Sequence, residues 1–429
     1  MFRRKGLALI AACAALACGG LVHAADTTSP VNEPNAAPVM ADDNGPTVRR
    51  PLMAALDGLG AAKPLDAIGI DIRGYVEGSW QFDASHPTGN YFTGRAFDNE
   101  QESVLLDQLD LNISRQVDAS KGKFDVGFTI EQIYGADAAL LHANGLTTYS
   151  PSKILGAYTA GPERSPKNQY DLTQAFLTFA VPVGNGLTVT VGKFDTLLGY
   201  EVIDPTQNTF FSHSFLFTQI PLTQTGVLVG YNVMSGLTVT GGFTRGWDQA
   251  LKDTNGSLDA LGQIKYTQDK LTLILNASTG DQEPTGSGLN GWRTVFDAVA
   301  QYAYADNLTL AVNADYGFEP QVDAGSTGQW YGAAVYGTYK ISQMFSVSGR
   351  AEWFDDQDGV APVSFNPGVP NTYYELTLGV AIKPFPTNNI GSNLVIRPEV
   401  RLDYADKPTW VGDNSHDQLT AAIEAYFTF

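Results

Sequence analysis

The sequence predicts an all-β protein, a transmembrane antiparallel β-barrel of about 16 strands with short periplasmic turns and long extracellular loops. Three observations carry that prediction: long runs of period-two hydrophobicity, connections that alternate between short and long, and a secretory N-terminus followed by no apolar run long enough for a helical span. The first is clearest between Ile68 and Phe82. Even positions there read Ile68, Ile70, Ile72, Gly74, Val76, Gly78, Trp80 and Phe82, while Asp71, Arg73, Glu77 and Gln81 fall on odd ones. Such a run exceeds the roughly 5–6 residues of a soluble strand. It suits a strand tilted across a bilayer, which takes about 9–11 residues or a little more.

The N-terminus fixes the compartment. Arg3, Arg4 and Lys5 precede an apolar run from Gly6 to about Ala17, and Val22-His23-Ala24 supplies small residues for cleavage. Ile10-Ala11-Ala12-Cys13 resembles a lipoprotein cleavage box, but it leaves a very short apolar core and ignores the better site downstream. Residues 1–24 therefore read as a signal peptide, 25–66 as a flexible, proline-spaced periplasmic leader and 67–429 as the barrel. Within the leader, Leu52, Met53, Ala54, Ala55, Leu56 and Leu59 have the composition of a short helix at the barrel mouth. Both cysteines, Cys13 and Cys18, precede the cleavage site, which excludes disulfides, cysteine metal sites and a cysteine nucleophile from the secreted chain. The formal charge of −19 excludes nucleic acid as a partner and favours cations.

Beyond the first run, strand candidates follow in pairs. Phe124, Val126, Phe128 and Ile130 alternate with Asp125, Gly127, Thr129 and Glu131. Leu308, Leu310, Val312 and Ala314 alternate with polar or small residues, and Leu394, Ile396, Val400 and Leu402 alternate with Arg397, Glu399, Arg401 and Asp403. Charge at every second position is costly in a protein core and cheap on the wall of a water-filled channel. Short connections fall near 117–122, 182–186, 234–236, 267–270, 305–307, 340–344 and 383–393, most with the Gly, Asn or Asp that tight reversals need. Long polar segments lie between them.

Tryptophans and tyrosines favour the membrane interface. In this topology Trp80, Trp247 and Trp353 end upward strands while Trp292 and Trp330 begin downward ones, so these five form an aromatic girdle at one rim. The final strand, Leu419 to Phe429, places Leu419, Ala421, Ile423, Ala425, Phe427 and Phe429 on one face. An amphipathic strand ending on Phe429 resembles the C-terminal signal by which the barrel-insertion machinery recognises outer-membrane proteins.

The segment Gly192-Lys193-Phe194-Asp195-Thr196-Leu197-Leu198-Gly199-Tyr200-Glu201-Val202-Ile203-Asp204-Pro205, continuing through Asn208, Ser212, Ser214, Pro221 and Thr225-Gly226, resembles the β-barrel porin-2 (OmpL-like) family. Arg350-Ala351-Glu352-Trp353-Phe354-Asp355-Asp356 is similar to a later strand of the same family. The resemblance covers most of the chain after Ile68 and implies a Gram-negative outer-membrane porin.

Read by its own residues, the stretch after Leu187 carries Glu201, Asp204 and His213 among Phe210, Phe211, Phe215 and Phe217, too apolar for a solvated external loop. The expectation is a constriction folded into the lumen, with aromatics on the wall and carboxylates toward the pore. Arg350, Arg397 and Arg401 then form the facing wall and set a transverse field; alternatively they neutralise Glu352, Glu399 and Asp403 within the wall. Ser212-His213-Ser214 is the nearest approach to a nucleophile and base, and no G-x-S-x-G is present, so no enzyme activity is expected. His86, His142 and His416 fall in other loops, and no metal site or cofactor is expected.

The function implied is passive diffusion of ions and small hydrophilic solutes, with cations preferred. The rival readings are a plugged structural or adhesive barrel that binds a partner through its loops, and an outer-membrane hydrolase. Expected partners are outer-membrane lipid and lipopolysaccharide, the insertion machinery and the solutes themselves, with a homotrimer the assembly that porins of this size often take.

Overall fold

A computed structural model describes residues 50–85, 92, 94–101, 103–146, 167–283, 291–320, 327–410 and 415–429. Residues 1–49, which hold the expected signal peptide and most of the expected leader, and His86 lie outside the described residues. Among those described, no helix is long and apolar enough to cross a membrane.

The first strand, β1, runs in two pieces, Ile70–Arg73 and Tyr75–Asp83. It is followed by β2 (Leu105–Arg115), β3 (Asp125–Gly135), β4 (Gln169–Val181), β5 (Leu187–Asp195), β6 (Thr223–Met234), β7 (Leu237–Thr244) and β8 (Asp259–Gln268). The second half comprises β9 (Leu271–Asp281), β10 (Trp292–Ala305), β11 (Leu308–Pro320), β12 (Thr327–Lys340), β13 (Phe345–Asp356), β14 (Asn371–Ile382), β15 (Leu394–Ala405) and β16 (Asp417–Thr428). Each strand pairs antiparallel with its sequence neighbours, and β16 pairs with β1, so the sheet closes as a 16-stranded barrel. Closure leaves no free edge, which a strand in lipid requires.

The seam is built from the two ends of the barrel sequence. Gly74 donates to the Phe429 carbonyl at 3.0 Å and accepts from the Phe429 amide at 2.8 Å. Glycine suits this position because a Cβ would stand 2.2 Å from the Asp110 carbonyl and 2.8 Å from the Phe429 ring. The strand therefore breaks at Gly74 without losing its place in the wall.

Alternation decides what each strand shows. In β1, Val76 and Trp80 face outward while Glu77, Ser79, Gln81 and Asp83 are buried on the lumen side. In β15, Val400 and Leu402 face outward while Arg397, Glu399, Arg401 and Asp403 are buried. The apolar core thus lies inside the barrel, in its long-loop half. There the 196–222 loop contributes Leu197, Leu198, Phe210, Phe215, Leu216 and Ile220, which pack on Phe194, Trp330, Tyr336, Phe354 and Tyr373 of the wall. A smaller cluster joins this loop, through Ile203, Phe217 and Leu222, to Phe97 and to Leu140 and Leu141 of the neighbouring loops.

The aromatic girdle differs from expectation at two residues. Trp330 points inward and is fully buried, because β12 buries its even positions. Trp247 lies in the loop after β7, with the Arg293 guanidinium 4.7 Å from its ring. Trp80 and Trp292 are exposed on the outer surface, and Trp353 packs against Tyr331 at 5.5 Å, with Tyr316 6.4 Å further along. Tyrosines supply much of this rim. Gly317 makes room for Trp330, since a Cβ there would stand 2.1 Å from the indole. Gly317→Ala is expected to destabilise the barrel by about 1–3 kcal/mol, measured as a lower temperature of the gel-mobility shift between folded and unfolded forms.

The end of the leader carries the short helix expected around Leu52 to Leu56, and a second one follows it. The helices α1 (Pro51–Gly58) and α2 (Ala62–Ile68) sit at the short-turn rim, where Arg115 of β2 donates to the Ile68 carbonyl at 2.8 Å. Met53 and Ala62 are their buried residues.

Candidate functional site

The 196–222 loop leaves the wall where Asp195 of β5 pairs with Thr223 of β6, and the Thr196 amide donates to the Leu222 carbonyl at 3.1 Å. It then holds its own shape. Asp204 accepts from the Thr206 amide at 2.8 Å and from Gln207 at 3.0 Å. Asn208 bonds both the amide and the carbonyl of Val202, at 2.9 and 2.6 Å. His213 is clasped between Phe97 and Phe217, with ring centroids 5.1 and 4.1 Å away.

The loop ends its inward run on β13, β14, β15 and β16. Since β13 stands eight strands on from β5 in a 16-stranded ring, the loop crosses the lumen from one wall to the opposite one. Arg350 of β13 donates to Glu201 at 2.6 Å, to the Ser212 carbonyl at 2.7 Å and to Glu375 of β14 at 2.9 Å. Glu352 accepts the amides of Phe215 and Leu216 at 2.6 and 2.8 Å, and Glu399 accepts those of Phe211 and Ser212 at 2.9 and 3.2 Å. Arg397 holds Glu424 at 2.5 Å, the Pro205 carbonyl at 3.0 Å and the Asn208 carbonyl. Arg401 pairs with Asp403 at 2.7 Å and donates to the His213 carbonyl. Asp403 in turn takes Arg95 of the first long loop at 2.7 Å.

Charge-assisted bonds of this kind are short and directional, and those to the loop satisfy groups that have left water. Glu201 and Arg350 are therefore in contact, and the open gap of a transverse field does not lie between them. Of the three arginines, only Arg401 takes its own strand's carboxylate. Register explains the other two: Glu424 stands directly opposite Arg397, and Glu375 lies diagonal to Arg350. Glu352 and Glu375, facing each other across β13 and β14, tolerate that position because one takes loop amides and the other a guanidinium.

Burial alone raises the Glu201 carboxyl, but Arg350 and the Ser214 donors outweigh it and hold it below the ordinary carboxylate range. Burial drives His213 down to about 4 against the pull of Glu201, so its ring is neutral. Ser214 donates its hydroxyl to Glu201 and Ser212 receives Arg350, while the His213 Nε2 contacts are Asn208 and the Val202 carbonyl. The His213 ring therefore addresses neither serine. Of the other histidines, His142 lies 3.2 Å from the Tyr170 carbonyl, and His416 lies 2.8 Å from that of Ala405.

Asp204 stands apart from this latch. It lines a recess between the loop and β1 to β5, together with Glu131, Asp195, Asn112, Gln174 and Arg73. Sequence reasoning missed all but Asp204. Glu131 and Asn112 do sit at polar parity in their strands, but nothing in the chain says that β2 and β3 meet the 203–207 turn.

A closed 16-stranded barrel with a loop folded across its lumen and apolar residues facing out defines a porin-like protein of the outer membrane. The chain belongs to the family described as "Putative beta-barrel porin-2, OmpL-like", whose model matches residues 69–429. Among solved structures it is similar to an anion-selective porin from Comamonas acidovorans (TM-score 0.54, 10% identity, 84% of this chain and 99% of that one). It is likewise similar to the outer membrane channel DcaP of Acinetobacter baumannii (TM-score 0.54, 13% identity, 84% and 97%). A third is OmpT, an outer membrane protein of Vibrio cholerae, in its trimer form (TM-score 0.50, 12% identity, 84% and 99%). At these identities the likeness is one of fold. No curated protein matches the sequence.

Proposed function

We propose that the protein is a non-enzymatic porin passing ions and small hydrophilic solutes by passive diffusion, with cations preferred. The observation that carries this reading is the recess beside the loop, whose lining sets Glu131, Asp195 and Asp204 against Arg73 alone. Fixed carboxylates beside a narrow path concentrate cations and repel anions. On the far side, Arg350, Arg397 and Arg401 are each bonded to carboxylates, so little positive field is left to oppose them. The pore constriction of this reading comprises Glu201, Asp204, His213 and the wall residues Arg350, Glu352, Arg397, Glu399 and Arg401 that hold the loop.

The long loops face outward from the cell and the short turns face the periplasm. Lipid and lipopolysaccharide contact the outer aromatic rim, the strand ending at Phe429 engages the insertion machinery, and the assembly is a homotrimer, as in the trimer form of OmpT.

Single-channel recording of the refolded mature protein across a salt gradient tests the pore. Discrete steps and a reversal potential of cation sign are expected. A folded barrel that never conducts favours a second reading, a plugged structural or adhesive barrel, which draws on the apolar packing of the 196–222 loop against Ala361, Val363 and Phe365 of the 357–370 loop.

A further inference from the structure

Beyond ion preference, we propose that the recess beside Asp204 is a binding subsite for small organic cations bearing amine or guanidine groups, and that such solutes are what the pore selects. This rests on the reading of the barrel as a cation-passing pore.

The argument lies in where the donors go. Asn112 Nδ2 donates to Glu131 at 3.0 Å, Gln174 Nε2 donates to the other oxygen of Glu131, and Gln207 Nε2 donates to Asp204 at 3.0 Å. A carboxylate only accepts, so it fixes which end of each amide faces it. Each of the three amides thus turns its NH2 group toward a carboxylate. What Asn112 and Gln207 present instead is carbonyl oxygen, and both oxygens are buried without a hydrogen-bond partner. Asn112 is itself only 2% exposed.

The recess therefore combines acidic groups with unsatisfied acceptors. A buried acceptor left without a donor is unfavourable, and a ligand that brings N–H groups relieves it. A bare monovalent ion meets the charge, but it can take the carbonyl oxygens only by shedding its water shell. A neutral sugar supplies hydroxyls without the charge. An ammonium or guanidinium head supplies both, three or more donors on one positive centre. Arg73, the cation of the lining, stands against three carboxylates and leaves the site acidic. Val202, Ile203 and Phe176 also line the recess and suit the alkyl chain of such a solute.

The test records ion current through the mature protein with 1,4-diaminobutane added, and with 1,4-butanediol as a neutral solute of the same size. The diamine is expected to interrupt the current where the diol does not. Asp204→Asn keeps an oxygen for the Thr206 amide and so preserves the loop turn; it is expected to raise the blocking concentration about tenfold. Asn112→Ser, which shortens the acceptor, is expected to raise it as well. A cation-preferring channel that diamine and diol affect equally overturns the subsite and leaves the pore reading intact. Block unchanged in both variants does the same. A channel without cation preference overturns the pore reading, and the subsite falls with it.

Discussion

Replacing Arg350 by alanine is expected to release the tip of the 196–222 loop and to raise both the mean conductance and the current noise of the channel. The side chain is fully buried and makes ion pairs with Glu201 and Glu375 on two different elements, besides holding the Ser212 carbonyl. Its loss strands two carboxylates and a carbonyl in a site from which water is excluded. Breaking a buried pair from one side costs about 3–5 kcal/mol. The barrel itself does not depend on this bond, because its strands are joined by a continuous backbone ladder whose members stay paired. The loss therefore falls on docking of the loop, and the channel opens while the gel-mobility shift of the barrel is kept. Glu201→Gln is expected to act in the same direction and more weakly, since an amide still accepts from Ser214. Unchanged conductance in Arg350→Ala, with the barrel folded, sinks the latch.

How far this arrangement was legible in the sequence depends on which kind of information each part needs. The barrel was legible, because its wall is written locally: alternation through β1 or β15 fixes two faces without reference to any other strand. The inward fold of the 196–222 loop was also legible from composition, since Phe210, Phe211, Phe215 and Phe217 have no place in a solvated loop. The partners of that loop were not. Arg350 and Arg397 sit at the right parity to bond their own strands' glutamates, and only register reveals that Glu424 stands opposite Arg397 while Glu375 lies diagonal to Arg350. Trp330 misled for a related reason. Its place near a strand end matches a girdle, but parity turns it into the lumen, where Gly317 leaves it space. Arg95 and Asp98 lie in a stretch that reads as polar external loop, and nothing local announces that Asp403 draws Arg95 inside. The acidic recess is the extreme case, assembled from β2, β3, β4, β5 and a turn, and visible only when all are in place.

Acid is expected to loosen the same loop through His213, and the sign follows from the direction of its shift. Its ordinary value is 6.5 and docking lowers it to about 4, because burial between Phe97 and Phe217 disfavours the charged ring, with Arg350 and Arg397 adding to the effect and Glu201 opposing it. A lowered histidine stabilises the docked loop fully above 6.5, and that contribution is lost as pH falls from 6.5 toward 4. By pH 5 the loss is about 2 kcal/mol. Glu201 does not counter it, since its carboxyl lies below the ordinary range and stays charged through the window. Asp98 does run the other way. Burial raises its carboxyl to about 6 despite Arg95 and Arg401, so docking of the first loop gains as pH falls through that value. Recordings from pH 7 to pH 5 are therefore expected to show rising current noise in the wild-type channel and a steeper rise in Asp98→Asn. His213→Phe keeps a ring between the two phenylalanines and removes the titration, so its noise is expected to stay flat or fall. A slope identical to wild type in His213→Phe shows that another group sets the acid response, and the most direct candidate is then the carboxylate side of the latch.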